Sequence, residues 1–122
     1  GVVPGGGAAL LACRPALRRR LKSAADEDER AALRGLLLAL EAPARALLAN
    51  AGFDPSVIGP QLAAGLGCDV RSGAVTDLRA AGVWDSAAVL TAAVHSAVAG
   101  AGLALTVETL VQRASPPVAS EP

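Results

Sequence analysis

The sequence predicts a mostly α-helical fold carrying one small β-hairpin and one C-terminal edge strand. Three observations predict it. Leu, Val and Ala recur at three- and four-residue spacing along most of the chain, the periodicity of helices with one buried face. Aromatic side chains are confined to Phe53 and Trp84, so the core must be built from Leu, Val and Ala, which suits closely packed helices. Against that background two stretches carry β signals: the glycine-bracketed Cys68-Asp69-Val70-Arg71, and the Thr- and Val-rich run from Thr106 to Val111.

The first helix starts at Ala8, behind Gly5-Gly6-Gly7, with Leu10, Cys13, Leu17 and Leu21 on one stripe. Cys13 on that stripe reads as a small core residue. Pro15 is expected to kink or end the helix, because it removes a backbone donor and crowds the preceding turn. Arg18-Arg19-Arg20 and Lys22 then meet Asp26-Glu27-Asp28-Glu29 across a short connection, a solvated helix–helix corner whose charges cancel. Asp26, with Glu29 three residues on, has the form of a capping box for a second helix with Leu33, Leu36, Leu37 and Leu40 on one face. Pro43 opens a third helix. It runs through Leu47 and Leu48 to a glycine stop at Asn50-Ala51-Gly52.

Asp54-Pro55-Ser56 starts a short helix through Ile58 and Leu62. Gly65, Gly67 and Gly73 bracket the hairpin, and Asp77 to Ala81 forms a turn or short helix before Gly82-Val83-Trp84. Asp85-Ser86 caps the longest helix, Ala87 to about Leu105, with Leu90, Val94, Ala97, Ala101 and Leu105 along one face. Pro and Ser in residues 113–122 predict a disordered tail, leaving residues 1–112 as the domain.

Composition narrows the function. The 122 residues carry no net charge, which removes any global electrostatic case for nucleic acid or an anionic membrane. Mean hydropathy is high at +0.45, yet Pro, Arg, Asp or Gly is expected to interrupt each apolar run short of the roughly 20 residues of a membrane span. Cys13 and Cys68, without a nearby second Cys or a His, make neither a zinc spacing nor a disulfide framework, and a reducing interior is the default setting. A start at Gly1, in a chain without methionine, reads as a start within a longer protein.

The glycine run is the most informative local feature. It leads straight into a helix, whose free N–H groups and dipole suit an anionic or oxygen-rich ligand. It lacks the Lys-Ser/Thr of a P-loop, and on the glycines alone a tight turn without a ligand is the better account. Ser72, Asp85 and His95 have the residue types of a nucleophilic triad but no nucleophile elbow, so that chemistry is set aside.

Five short runs, in order and at consistent separations, resemble the C-terminal part of a GroEL-type group I chaperonin. They are Gly-Val-Val-Pro-Gly-Gly-Gly-Ala-Ala-Leu-Leu at 1–11, Glu41-Ala42-Pro43, Asn50-Ala51-Gly52, Gly82-Val83-Trp84-Asp85, and Ala101-Gly102-Leu103-Ala104-Leu105-Thr106-Val107-Glu108. The resemblance implies an ATP-driven folding machine of stacked subunit rings, with this segment as the returning half of the helical equatorial domain. It implies ATP and Mg as cofactors, other chaperonin subunits as ring partners, and a co-chaperonin and unfolded clients bound through domains outside this sequence. Bacterial cytoplasm follows as the location, with mitochondrion or plastid as the alternative.

By the same resemblance, Gly6 lies against the nucleotide sugar, Asp69, Val70 and Arg71 line the adenine, Val83 packs near the base, and Asp85 accepts the ribose hydroxyls. A carboxylate is a bidentate acceptor for two vicinal hydroxyls, so the chemistry of Asp85 suits that role. Asp85 is equally placed to cap the helix that follows. The chain departs from the family where Tyr-Asn-Ala-Ala is replaced by Cys68-Asp69-Val70-Arg71, and the phosphate loop, metal-binding Asp and water-activating Asp belong to segments outside it. This chain alone is therefore expected not to hydrolyse ATP. Two functions stay open: part of an ATP-dependent chaperonin subunit, or a degenerate chaperonin-like module with structural and interaction roles only.

Overall fold

The structure, a computed structural model, describes residues 1–62, 66–109 and 111–112. The chain divides into one unit of residues 1–89 and a second of residues 90–122.

The first unit begins with a strand that the sequence reading does not contain. β1 (Val2–Pro4) pairs antiparallel with β4 (Trp84–Ser86), placing Val3 opposite Asp85 and Pro4 opposite Trp84. Val2 and Val3 supply β propensity, but the partner lies at the far end of the unit and no local pattern announces it. After the glycine turn, α1 (Ala8–Lys22) continues past Pro15. The expected helix end there is wrong: packing at Leu10 and Leu11 on one side, and partial burial of Leu17 and Leu21 on the other, carries the helix past the missing bond. Cys13 is corrected too. It is exposed, because the buried stripe passes through Leu10, Leu11 and Arg14, and its thiol donates to Ala9 O at 3.4 Å.

The capping box holds. Glu29 N donates to Asp26 Oδ1 at 2.7 Å, and the Glu29 carboxylate reaches back to accept from Ala25 N at 2.8 Å. It opens α2 (Glu27–Ala39), and Arg20 pairs with Glu29 at 2.6 Å across the corner between α1 and α2. α3 (Ala42–Asn50) starts with Pro43 in its first turn, and Arg14 of α1 forms an ion pair with Glu41 just before it. α4 (Pro55–Ile58) is capped by Asp54, which accepts from Ser56 N and Ser56 Oγ, and a single 3-10 turn over Gly59–Gln61 follows. Among the described residues, the hydrophobic core is Ala8, Leu10, Leu11, Ala24, Leu37, Leu40, Ala44, Leu48 and Leu78. Eight come from the helical part of the chain and its connections. The ninth, Leu78, comes from the turn beyond the hairpin.

That hairpin pairs β2 (Leu66–Asp69) with β3 (Ala74–Asp77), Leu66 opposite Asp77 and Asp69 opposite Ala74. Gly65 lies outside the described residues. Val70 and Arg71 belong to the tip rather than to a strand.

α5 (Ala87–Leu105) contains no buried residue. By length and composition it could cross a membrane, which corrects the expectation that every apolar run is interrupted: Gly100 and Gly102 continue the helix, and no Asp, Glu, Lys or Arg lies within it. Beyond it, Thr106 N and Oγ1 both donate to Leu103 O, at 3.1 and 2.7 Å, closing the helix with a turn. Residues 106–109, 111 and 112 form no strand, contrary to the expected edge strand. A strand exists by pairing, and among the described residues none is available to pair there; the Thr106 hydroxyl instead satisfies a helix-end carbonyl. The tail expected at 113–122 lies outside the described residues.

Candidate functional site

The site is built where the first strand turns into the first helix. Because β1 runs antiparallel to β4, the residue after Pro4 falls beside Val83, and Gly5 N donates to Val83 O at 3.0 Å. Val83 and Asp85 are two apart on an extended segment, so their side chains leave the same face. That face looks onto Gly5. A Cβ built there would lie 3.0 Å from Val83 Cγ1 and 3.3 Å from Asp85 Oδ1, so the missing side chain is what lets both approach the turn. Gly7 then takes φ +80°, and Ala44 of α3 packs so closely that a Cβ would lie 2.9 Å from its backbone nitrogen. Only glycine satisfies both conditions.

The second wall is the hairpin tip. Gly73 N and Ser72 N donate to Asp69 O at 2.8 and 3.2 Å, closing the turn. The Asp69 side chain reinforces it, with Oδ1 accepting from Arg71 N at 3.0 Å and Oδ2 accepting from Ser72 Oγ at 2.9 Å. The first of these bonds, then the second, holds the Asp69 carboxyl below its ordinary range. Its neighbour Cys68 moves the other way: burial, and secondarily the Asp69 charge, pushes the thiol up and keeps it protonated at neutral pH.

Leu78 makes the floor. It is 1% exposed, and its Cδ1 occupies the place a side chain at Gly67 would take, 2.2 Å from a Cβ built there. Leu78 O also accepts from Val83 N at 2.9 Å, tying the floor to the Asp85 strand.

Between these walls lies a cavity of about 380 Å³. Gly6, Asp69, Val70, Arg71, Val83 and Asp85, the six site residues of the sequence analysis, all line it. Residues that sequence reasoning did not assign complete it: Ala44, Leu47 and Leu48 from α3, Leu62, Cys68 and Leu78. The α3 leucines were visible as a helical stripe but carried no sign of a ligand. Leu78 is one apolar residue between Asp77 and Arg79, with no periodicity to mark it. A neighbouring cavity of about 360 Å³ contains the Arg14–Glu41 pair and none of the six residues.

The capping role open to Asp85 falls elsewhere. Ser86 Oγ accepts from Val89 N at 3.5 Å, a long bond, while the Asp85 carboxylate makes no hydrogen bond among the described residues. Asp85 therefore presents free acceptor oxygens on the cavity wall. No group of three or more His, Cys, Asp or Glu side chains gathers among the described residues to hold a metal.

The arrangement defines a class first: a helical domain with a small-molecule cavity between a glycine turn and a hairpin tip, apolar at its floor and charged at its rim. The family is then given by comparison. The chain belongs to the TCP-1/cpn60 chaperonin family, whose model matches residues 1–115. Among solved structures it is similar to the open-state monomer of a group II chaperonin from Methanococcoides burtonii, at 26% identity and TM-score 0.80, covering 87% of this chain and 28% of that one. It is also similar to a group III chaperonin in the open state, at 28% identity and TM-score 0.77, covering 91% of this chain and 24% of that one. The chain thus spans about a quarter of the length of these chaperonins. Its mostly helical fold with small paired strands is of the chaperonin equatorial type.

Proposed function

We propose that the cavity binds the nucleoside end of ATP, and that the chain serves as part of an ATP-dependent chaperonin subunit that assists protein folding within a ring of like subunits. The observation that carries this reading is the Asp85 carboxylate, held against the bare face of Gly5 with its oxygens free on the wall of a nucleoside-sized cavity. An acceptor-only pair of oxygens suits the two donor hydroxyls of a ribose. The floor of Leu48 and Leu78 and the flank of Val83 offer an apolar surface to a purine. The apolar floor and carboxylate rim fit a nucleoside; among the described residues no group of three or more metal-ligand side chains gathers, and no step is assigned to magnesium.

Within the family, the GroEL-type reading rests on the five sequence runs; the solved structures above belong to groups II and III. Ring partners, a co-chaperonin, unfolded clients and a bacterial cytoplasmic location enter with that reading. The alternative, a degenerate module with interaction roles only, is favoured by one observation: at the hairpin tip, Asp69 and Arg71 stand where the resemblance expects Asn and Ala.

The test is nucleotide affinity measured as a cycle of ligand and protein. Asp85→Ala should weaken ATP binding by about 1–3 kcal/mol, and 2′,3′-dideoxy-ATP should bind the wild-type chain as weakly as ATP binds the variant. The variant should not distinguish the two ligands. If Asp85→Ala and the loss of both hydroxyls weaken binding independently, Asp85 does not hold the ribose. If a full-length subunit carrying this segment binds no ATP, the degenerate module is the correct function.

A further inference from the structure

The neighbouring cavity of about 360 Å³ has no part in the nucleotide reading. The two cavities share Ala44, Leu48 and Leu62 as a common wall, and this one adds Leu11 and Arg14 from α1 with Pro55 and Pro60 from the α4 segment. One polar group on its lining is left over. The Arg14 side chain is only 23% exposed and pairs with Glu41, yet its Nε is buried without a hydrogen-bond partner among the described residues. Native structures leave few such donors, because a buried N–H that bonds to nothing keeps its full desolvation cost. A water has a liquid volume of about 30 Å³, so one molecule at Nε would answer the donor and leave the apolar length of the cavity uncovered.

That length has a direction. Glu41 precedes α3, Arg45 lies one turn on, and Leu48 follows, so the lining passes from charged to apolar over roughly 10 Å at the helical rise. The far end is closed by Pro60 and Leu62. At the near end two guanidiniums, Arg14 and Arg45, stand against one carboxylate, Glu41, and leave room for one further negative charge. Ser56, the other polar group on the lining, is already committed, with N and Oγ both donating to Asp54 Oδ1. We propose that this cavity is a second ligand site and that its ligand is a medium-chain monocarboxylate. The carboxylate accepts from Arg14 Nε in a charge-assisted hydrogen bond, and the alkyl chain lies along α3 toward Leu48 and Leu62. The planar guanidinium has donors enough to serve Glu41 and the ligand together.

The experiment is isothermal titration of octanoate into a full-length subunit carrying this segment, with octanol and acetate as comparison probes. Octanoate should bind saturably, and both comparison probes about tenfold or more weakly, since octanol lacks the charge and acetate lacks the chain. Arg14→Met keeps an apolar stem and removes the donor. It should weaken octanoate by about 10- to 150-fold, the range of one hydrogen bond to a charged group. Glu41→Gln should act in the opposite direction and tighten octanoate, because the rival carboxylate is gone while Arg14 stays. Circular dichroism checks the fold of each variant. A second measurement needs no substitution: an octanoate analogue with a diazirine at the chain end should label residues 55–62, and unlabelled octanoate should compete for that labelling.

Absence of saturable octanoate binding would overturn the site, and so would photolabelling confined to residues outside 55–62. Octanol binding as tightly as octanoate would overturn the carboxylate, as would an unchanged octanoate affinity in Arg14→Met. Weaker octanoate binding in a folded Glu41→Gln variant would overturn the assignment of Arg14 as the group that holds the head. Each of these results leaves Asp85 and the nucleotide cavity untouched, so the two readings stand or fall separately.

Discussion

Glycine is used in opposite ways in two regions of this chain. At the cavity, a Cβ on Gly7 would lie 2.9 Å from the Ala44 backbone nitrogen, and one on Gly67 would lie 2.2 Å from Leu78 Cδ1. In α5, a Cβ on Gly100 or Gly102 would meet nothing within 4 Å. The first pair are closed contacts that hold strand, hairpin and helix at the distances the cavity needs. The second pair are open positions in a helix with no buried residue. The sequence reads Gly7 as part of a turn and Gly67 as a bracket of the hairpin; geometry shows what stands opposite each. A glycine's role is set by what stands opposite it.

The largest effect that sharpens this contrast should come from the cavity floor. Leu78→Ala should destabilise the first unit by about 2–5 kcal/mol, because the site is fully buried and framed by backbone that cannot collapse into the void. Urea unfolding followed by Trp84 fluorescence measures it, since Trp84 lies on β4 next to Val83, whose N–H donates to Leu78 O. A loss below about 1 kcal/mol, the range of an ordinary surface change, would mean that Leu78 is not the floor.

The glycines come next, and here the predicted signs differ. Gly67→Ala should cost about 1–3 kcal/mol, the usual penalty for overpacking a filled site. Gly100→Ala should raise helix stability by about 0.5–1 kcal/mol, because the added methyl meets nothing and the unfolded chain loses freedom. Paired denaturation curves, read by Trp84 fluorescence for the first and far-ultraviolet circular dichroism for the second, check both. Effects of the same sign would break the comparison.

Much of this was legible locally. The Asp26–Glu29 box, the Gly52 stop, the Asp54 cap and the hairpin are all short-range patterns, and each forms as the residues predict. The six candidate site residues converge on one cavity although Gly6 and Asp85 are far apart in sequence. What brings them together is the β1–β4 pairing, a long-range event without a local signature. Pro15 and Cys13 failed for a related reason: propensity and periodicity were overruled by packing between elements. The strand expected at 106–111 had composition in its favour and no partner among the described residues.

The smallest effect is a pH response confined to the tip. The Asp69 carboxyl is held below its ordinary value of 3.8, so its contribution is present above that pH and is lost as pH falls through the depressed value. Hydrogen exchange at Ser72 and Gly73 should therefore lose protection below about pH 4, and Asp69→Asn should flatten that dependence. α5, which carries no carboxylate, should keep its protection relative to the intrinsic exchange rate over the same window.

The central claim is that a nucleotide occupies the cavity between the glycine turn and the hairpin, and the two cysteines test it most directly. Cys68 lines that cavity; Cys13 is exposed on α1 and outside it. Alkylation by iodoacetamide at pH 8, mapped by mass spectrometry with and without saturating ATP, reports on both thiols in one sample. The account predicts that nucleotide slows modification of Cys68 and leaves the rate at Cys13 unchanged. Equal rates at Cys68 with and without nucleotide, or equal slowing at both cysteines, would contradict it.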